Sequence, residues 1–481
     1  MFEGCLQAMA FYMMALGQTV DKDGWRFEPV PEIAYPLRCR GQAIPTARML
    51  VYELFVDEVI DGSEPKLFVD LLCTIDGLKA FHCRRMGLEL TPGCPLDEMP
   101  EPDAKLDGNR AVATVNNVPL DYRALLNCAW GPPSHAFGAP FTKFDRGMRL
   151  PRLPGPPYHF MTRIAKIDGE FNVERLGCSV DAEFDIDPSD WFFHANGQPT
   201  LPYPVLLEAA LQPCGWLGSY IGIALRSDSE MQFRNLDGTA SMLVNVPASK
   251  GTVRTKATLT NVSRAGGITL VSFDVRCALN EQEIFNMKTT FGFFRAADLA
   301  RQVGIPASPA ELARVNAPSD FLVDLTAKPD RYCGGSLRMP SGNLLLIDRI
   351  SGIWSAEDGS GKVRLRAEKD VKPGEWFFKA HFYQDPVQPG SLGLEALLQT
   401  LQFYAIHIGA AEGIKNPVLS LENPHDWKYR GQVVPSNKKI VSEVEVKSVV
   451  RDGSSVVLKA EGWLWVDGTR IYQMNFGLRV S

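Results

Sequence analysis

The sequence predicts an α+β protein that repeats one plan three times, a long apolar helix wrapped by a curled antiparallel sheet. Three observations carry that expectation. Three segments begin with a glutamate, continue as an apolar helical pattern and place a glutamine four residues on: Glu3 with Gln7 in EGCLQAMAFYMMALG, Glu208 with Gln212 in EAALQPCGWLGSYIG, and Glu395 with Gln399 in EALLQTLQFYAIHIG. An (i, i+4) pair shares one face of a helix. After each helix come alternating β-branched runs, ARMLVYELFVDEVI from Ala47, TVRTKATLTNV from Thr252 and KIVSEVEVKSVV from Lys439, the signature of half-buried strands. Each set closes on a hairpin cue, at Asp76-Gly77, Asn280-Glu281 and Asp467-Gly468, where two turn-forming residues separate apolar runs. One helix against several antiparallel strands requires the sheet to bury that helix.

Composition narrows the function classes. A chain of 481 residues exceeds one hydrophobic core, and 45% hydrophobic with 22% charged residues is ordinary globular composition. A net charge of -6 offers no basic stripe for phosphate backbones, so nucleic acid is not an expected partner. No apolar run reaches the roughly 20 residues that span a bilayer, and no secretory leader is recognisable, so the expected setting is the cytoplasm, away from membranes. Ten scattered cysteines without a CxxC pair, and seven histidines away from zinc spacing, point to buried thiols and to no metal site.

The chemistry-bearing pattern lies upstream of the second and third helices. The second copy has Trp191-Phe192-Phe193-His194, and the third has Trp376-Phe377-Phe378-Lys379-Ala380-His381. Each reads as a strand ending in aromatics and a histidine, and each histidine precedes its glutamate by 14 residues, His194 to Glu208 and His381 to Glu395. Pro199 and Pro202 in one loop match Pro386 and Pro389 in the other, two copies of a stiff connection. Eliminating water from a 3-hydroxyacyl thioester needs a base for the C2 proton and an acid for the departing hydroxyl. Neutral imidazole serves as the first and a protonated carboxyl as the second. Desolvation would raise such a carboxyl's pKa and the positive helix end would lower it, a contest the sequence leaves open.

The segment WFFKAHFYQDPVQPGSLGLEALLQ, with PPYHFMTRIAKIDGEF from Pro156 and NLLLIDRISGIW from Asn343, closely resembles the bacterial β-hydroxydecanoyl-acyl-carrier-protein dehydratases, enzymes of the hot-dog fold. Tandem copies joined by Pro/Gly-rich stretches look most like the dehydratase region of polyunsaturated fatty acid synthases. The resemblance implies hot-dog units at 152–296 and 341–481, an N-terminally incomplete unit at 1–92, linkers or wrapping segments at 93–151 and 297–340, and a double hot-dog pseudo-dimer. It implies dehydration of 3-hydroxyacyl chains held on the phosphopantetheine of acyl carrier protein, together with trans-2 to cis-3 isomerisation in some members. It also implies a homodimeric habit, no metal or organic cofactor, and carrier and other synthase domains as partners.

By position His381 and Glu395 match the family's catalytic pair. In the family's dimers the histidine and the carboxylate come from different subunits, which pairs His381 with Glu208 and His194 with Glu395. Gly390, ahead of the third helix, is expected to offer its N–H to the thioester carbonyl, while Asp385 reads as loop structure. The second copy departs from the pattern, with Ala195, Gln198 and Tyr203 where the third has Phe382, Asp385 and Gly390, and its Pro204 also removes an N–H. It reads as an altered site. Glu3 holds the carboxylate position of the first unit without a preceding histidine. His82, His135, His159, His407 and His425 lack the motif and read as surface or core residues. Two other functions fit a helix-borne carboxylate: an acyl thioesterase, and a non-catalytic scaffold for units one and two.

Overall fold

A computed structural model describes residues 2–481 except 21, 23, 24, 32, 63, 93–109, 146, 147 and 357–360. Cys94 and the first part of the 93–151 joint, 93–109, lie outside the described residues. The chain divides into an N-terminal unit of residues 1–100 and a C-terminal unit of residues 101–481.

In the N-terminal unit helix α1 (Phe2–Ala15) precedes strands β1 (Trp25–Pro29), β2 (Leu37–Cys39), β3 (Leu50–Ile60), β4 (Lys66–Ile75) and β5 (Leu78–Pro92). The strands run in the order β1-β5-β4-β3, with β2 also on β5. Cys5, Met9 and Met13, four residues apart on one face of α1, pack on Leu67, Leu71 and Leu88. Glu3 is exposed, and its carboxylate accepts from Gln7 at 3.4 Å.

The C-terminal unit holds two complete copies. The second repeat runs β6 (Arg163–Asp168), β7 (Ser179–Ile186), α2 (Tyr203–Tyr220), β8 (Gln232–Met242), β9 (Gly251–Ala265), β10 (Ile268–Leu279) and β11 (Gln282–Phe294). The third runs β12 (Arg349–Ser355), β13 (Val363–Asp370), α3 (Gly390–His407), β14 (Leu419–Leu421), β15 (His425–Tyr429), β16 (Lys439–Asp452), β17 (Ser455–Val466) and β18 (Thr469–Val480). Each sheet wraps its own buried helix, the hot-dog arrangement. β8 pairs antiparallel with β15, Gly238 opposite Trp427 and Ala240 opposite His425, so the two sheets become one. A single apolar core runs through both repeats.

All three hairpin cues form turns with two consecutive positive φ values: Asp76 and Gly77 at 48° and 83°, Asn280 and Glu281 at 50° and 67°, Asp467 and Gly468 at 46° and 86°. This twist matches that of the flanking strands. The R-G-Q-x-x-P motif shared by the first and third repeats brings the backbone against the last strand. Arg40 N–H donates to Ala80 and Arg430 N–H to Ile471, and a Cβ on Gly41 or Gly431 would collide with those same residues.

Two expectations are corrected. The tryptophan-led motifs do not end strands. They form short helices, Trp191–Ala195 and Trp376–Ala380, whose two tryptophan rings meet at 5.7 Å between the repeats. The stretches expected as joints are not mere linkers. Helix Tyr122–Ala129, capped by Asp121 on Ala124 N–H, and the turns after it send Leu125, Phe137 and Phe141 into the core, with Phe137 against Trp216. In 297–340, Tyr332 stacks on Phe403 at 4.3 Å. Apart from that short helix, sparse apolar residues among Pro and Gly follow no helix or strand period, which hides this packing from the sequence.

Candidate active site

The short helix Trp376–Ala380 ends at His381, whose N–H donates to Phe377. The Pro-rich loop then folds back, with Val387 N–H donating to the His381 carbonyl at 2.9 Å and imidazole Nδ1 lying 3.1 Å from the Val387 carbonyl. A carbonyl only accepts, so Nδ1 carries the proton and Nε2 is left as the basic nitrogen. Burial pushes the imidazole pKa down to about 3, and the Arg234 charge adds to that, partly offset by the Val387 carbonyl. His381 is therefore neutral at physiological pH.

Glu208 is the sixth residue of α2, buried, and carries two donors: Ser391 Oγ at 2.6 Å and Gln212 Nε2 at 3.3 Å. Tyr158 Oη lies 3.0 Å from Ser391 Oγ. Gln212 is fixed in turn by Phe160 N–H and the Tyr158 carbonyl, which explains the recurrence of glutamine four residues after each glutamate. Gln399 repeats the arrangement with Leu346 N–H, the Leu344 carbonyl and Glu395. Desolvation raises the Glu208 pKa to about 7 despite the Ser391 and Gln212 donors.

His381 and Glu208 line the same cavity, of about 820 Å³ including its mouth, with Leu211, Gly215, Phe233 and Phe291 along an apolar side. Leu211, Gln212 and Gly215 follow Glu208 at helical spacing along α2. Gly390, the first residue of α3, opens on this cavity, and as a helix-starting residue its N–H has no partner within the helix. A Cβ at this position would come within 2.8 Å of the Tyr429 ring.

The other predicted residues do not join this cavity. Glu395 is buried in α3, with its pKa also raised to about 7 by desolvation, but it does not line the cavity of His381. Tyr203, where the third repeat has Gly390, places a buried phenol whose ionised form Glu395 disfavours, with its hydroxyl 2.9 Å from His425 Nε2. His194 is exposed at the end of its short helix. The two halves of the pseudo-dimer are thus unequal. His425 and His159 are core residues, both with pKa lowered by burial. Sequence reasoning missed Ser391 and Tyr158, although both stand within the resembling segments, because a hydroxyl contact between repeats leaves no spacing to read. Among the described residues no cluster could hold a metal, and no helix is long and apolar enough to cross a membrane.

Fold and cavity together define a tandem hot-dog protein with one histidine and one glutamate drawn from different repeats. The FabA-like domain family matches residues 1–84 and 339–475, the family that the sequence resembles. A polyunsaturated fatty acid synthase polypeptide of Thraustochytrium sp. is 30% identical over 425 residues, 82% of this chain and 27% of that protein, so the chain spans about a quarter of that relative. Among solved structures, a dehydratase domain from the CurJ module of curacin polyketide synthase is similar at 13% identity and TM-score 0.39, covering 66% of this chain and 96% of that one. A thioesterase of Novosphingobium aromaticivorans is similar at 14% identity and TM-score 0.36, covering 65% of this chain and 97% of that one.

Proposed function

We propose that the chain dehydrates 3-hydroxyacyl thioesters carried on the phosphopantetheine of acyl carrier protein, within a synthase that makes polyunsaturated fatty acids. The observation that supports this reading is a neutral imidazole and a carboxyl whose pKa is raised to about 7, so that much of it still holds its proton near neutral pH, both facing one apolar cavity. His381 Nε2 takes the C2 proton, and the electron pair of that C–H bond becomes the C2–C3 double bond. The C3–O bond breaks as Glu208 delivers its proton, so the hydroxyl leaves as water. Gly390 N–H polarises the thioester carbonyl as negative charge develops, a donor typically worth about 10² to 10³ in rate. The proton on His381 then returns to Glu208 through solvent. The two side chains supply both proton transfers, so the step calls for neither metal nor organic cofactor. A carrier arm tethered in the same assembly raises the local substrate concentration without strong docking.

Incubation with a 3-hydroxyacyl thioester, resolving trans-2 from cis-3 products, tests this reading and reads isomerisation at the same time. His381→Ala and Glu208→Gln should each lower turnover by about 10² to 10⁴, while Glu395→Gln should leave it within about threefold. Release of free thiol from a saturated acyl thioester, without dehydration, would replace the reading with hydrolysis.

A further inference from the structure

We infer that Arg234 is a positioning residue, which acts through Asp385 to hold the loop that carries His381; the inference rests on the dehydratase reading. Arg234 arises on β8 of the second repeat and Asp385 in the Pro-rich loop of the third. They form a two-pronged pair, Nη1 to Oδ2 and Nη2 to Oδ1, both 2.7 Å. Only the planar guanidinium fork matches a carboxylate in this way. Its side chain is 11% exposed and that of Asp385 20%, so solvent screens the pair only in part.

Further contacts brace the loop and the arginine itself. Gln232 Nε2 also donates to Asp385 Oδ1 at 2.8 Å, Arg234 Nε donates to Gln432 at 3.0 Å, and Arg149 donates to the Gln384 carbonyl at 3.2 Å. Gln232, Arg234 and Arg149 come from outside the third repeat, and they grip a loop only a few residues long between His381 and Val387, whose carbonyl orients the imidazole.

The other repeat supplies the contrast. Gln198 stands at the position of Asp385; its amide donates to the Gly197 carbonyl and its Oε1 accepts from Leu419 N–H at 3.4 Å, with no arginine on it among the described residues, and the loop that it belongs to leaves His194 exposed. Where the loop carries an acid gripped by arginine the histidine is buried over the cavity, and where it does not the histidine faces solvent. The groups around His381 are Arg234 on β8, Arg152 before β6, Glu208 on α2, Tyr429 on β15, Tyr472 on β18 and Asp385 on its own loop.

The test compares steady-state kinetics of the whole chain for Arg234→Met, Asp385→Asn, Arg234→Lys and the double variant Arg234→Met/Asp385→Asn. Each neutral single variant should lose about 10- to 100-fold in kcat with KM within about threefold, since misplacing a reacting group by ~1 Å costs about that much. The double variant should be no worse than the worse single, and Arg234→Lys should recover only part of the loss. Arg234→Met should also move the acidic limb of the pH profile upward, because a positive neighbour of His381 is gone. A merely structural pair would lower the melting temperature and leave the limb in place.

Multiplicative losses in the double variant, an unmoved limb, or wild-type kcat in folded single variants would overturn the inference. If His381→Ala is inactive while these outcomes occur, the positioning role alone fails. If His381→Ala keeps full activity, it is the dehydratase reading that fails.

Discussion

Glu208 titrates where the proposed reaction needs a proton donor, and its burial together with two donors sets that value. As pH rises through about 7 the carboxyl loses its proton, so kcat/KM should fall about tenfold per pH unit above that point and level off below it. Ser391 donates to the ionised form and thereby holds the pKa down. Ser391→Ala should move the alkaline limb up by about one to two units, since a hydrogen bond to a charge is worth roughly 1.5–3 kcal/mol and a unit is 1.36 kcal/mol. The measurement is a pH–rate profile of the two proteins. Movement of the limb downward would contradict a hydrogen bond that favours the ionised carboxylate.

The two central helices differ in what their carboxylates do. Glu395 sits at the equivalent sixth position of α3 with a raised pKa, yet lies apart from the imidazole. A buried carboxyl whose folded pKa lies above its unfolded value stabilises the fold below the unfolded pKa and loses that contribution as pH rises through the folded one. From 4.5 to about 7 the loss is complete by pH 8, at most about 3 kcal/mol. Glu395→Gln should raise the melting temperature by several degrees at pH 8 and by much less at pH 4.5, read by calorimetry at both. Much of this level is legible in the residues. The three helices, the strands after them and the three hairpins follow from period and turn chemistry, and the glutamines from helical spacing. The tryptophan-led motifs pass for strand ends, because three aromatics in a row satisfy either a strand or a short helix. The packing of the turns at 131–145 follows no period at all. The partner of His381 is fixed only by the crossing of the repeats, which the spacing of 14 residues does not encode.

At the scale of the molecule, β8 and β15 join two sheets into one, and both halves of the site belong to one chain. A His381→Ala chain mixed with a Glu208→Gln chain should therefore recover no activity, whereas a site shared between separate chains would regain part of it. The measurement is turnover of the mixture against each parent. In the second repeat His194 is exposed and Tyr203 stands in place of the glycine, while Glu208, Gln212 and Arg234 line the cavity that holds His381 of the third. Once duplication has fixed the two halves in a single gene product, their ratio is set at translation, and mutation can erode one doorway while the other keeps working. Under the proposed function, a substrate arm would then meet one cavity that joins a histidine of one repeat to a glutamate of the other, so its delivery would be directional.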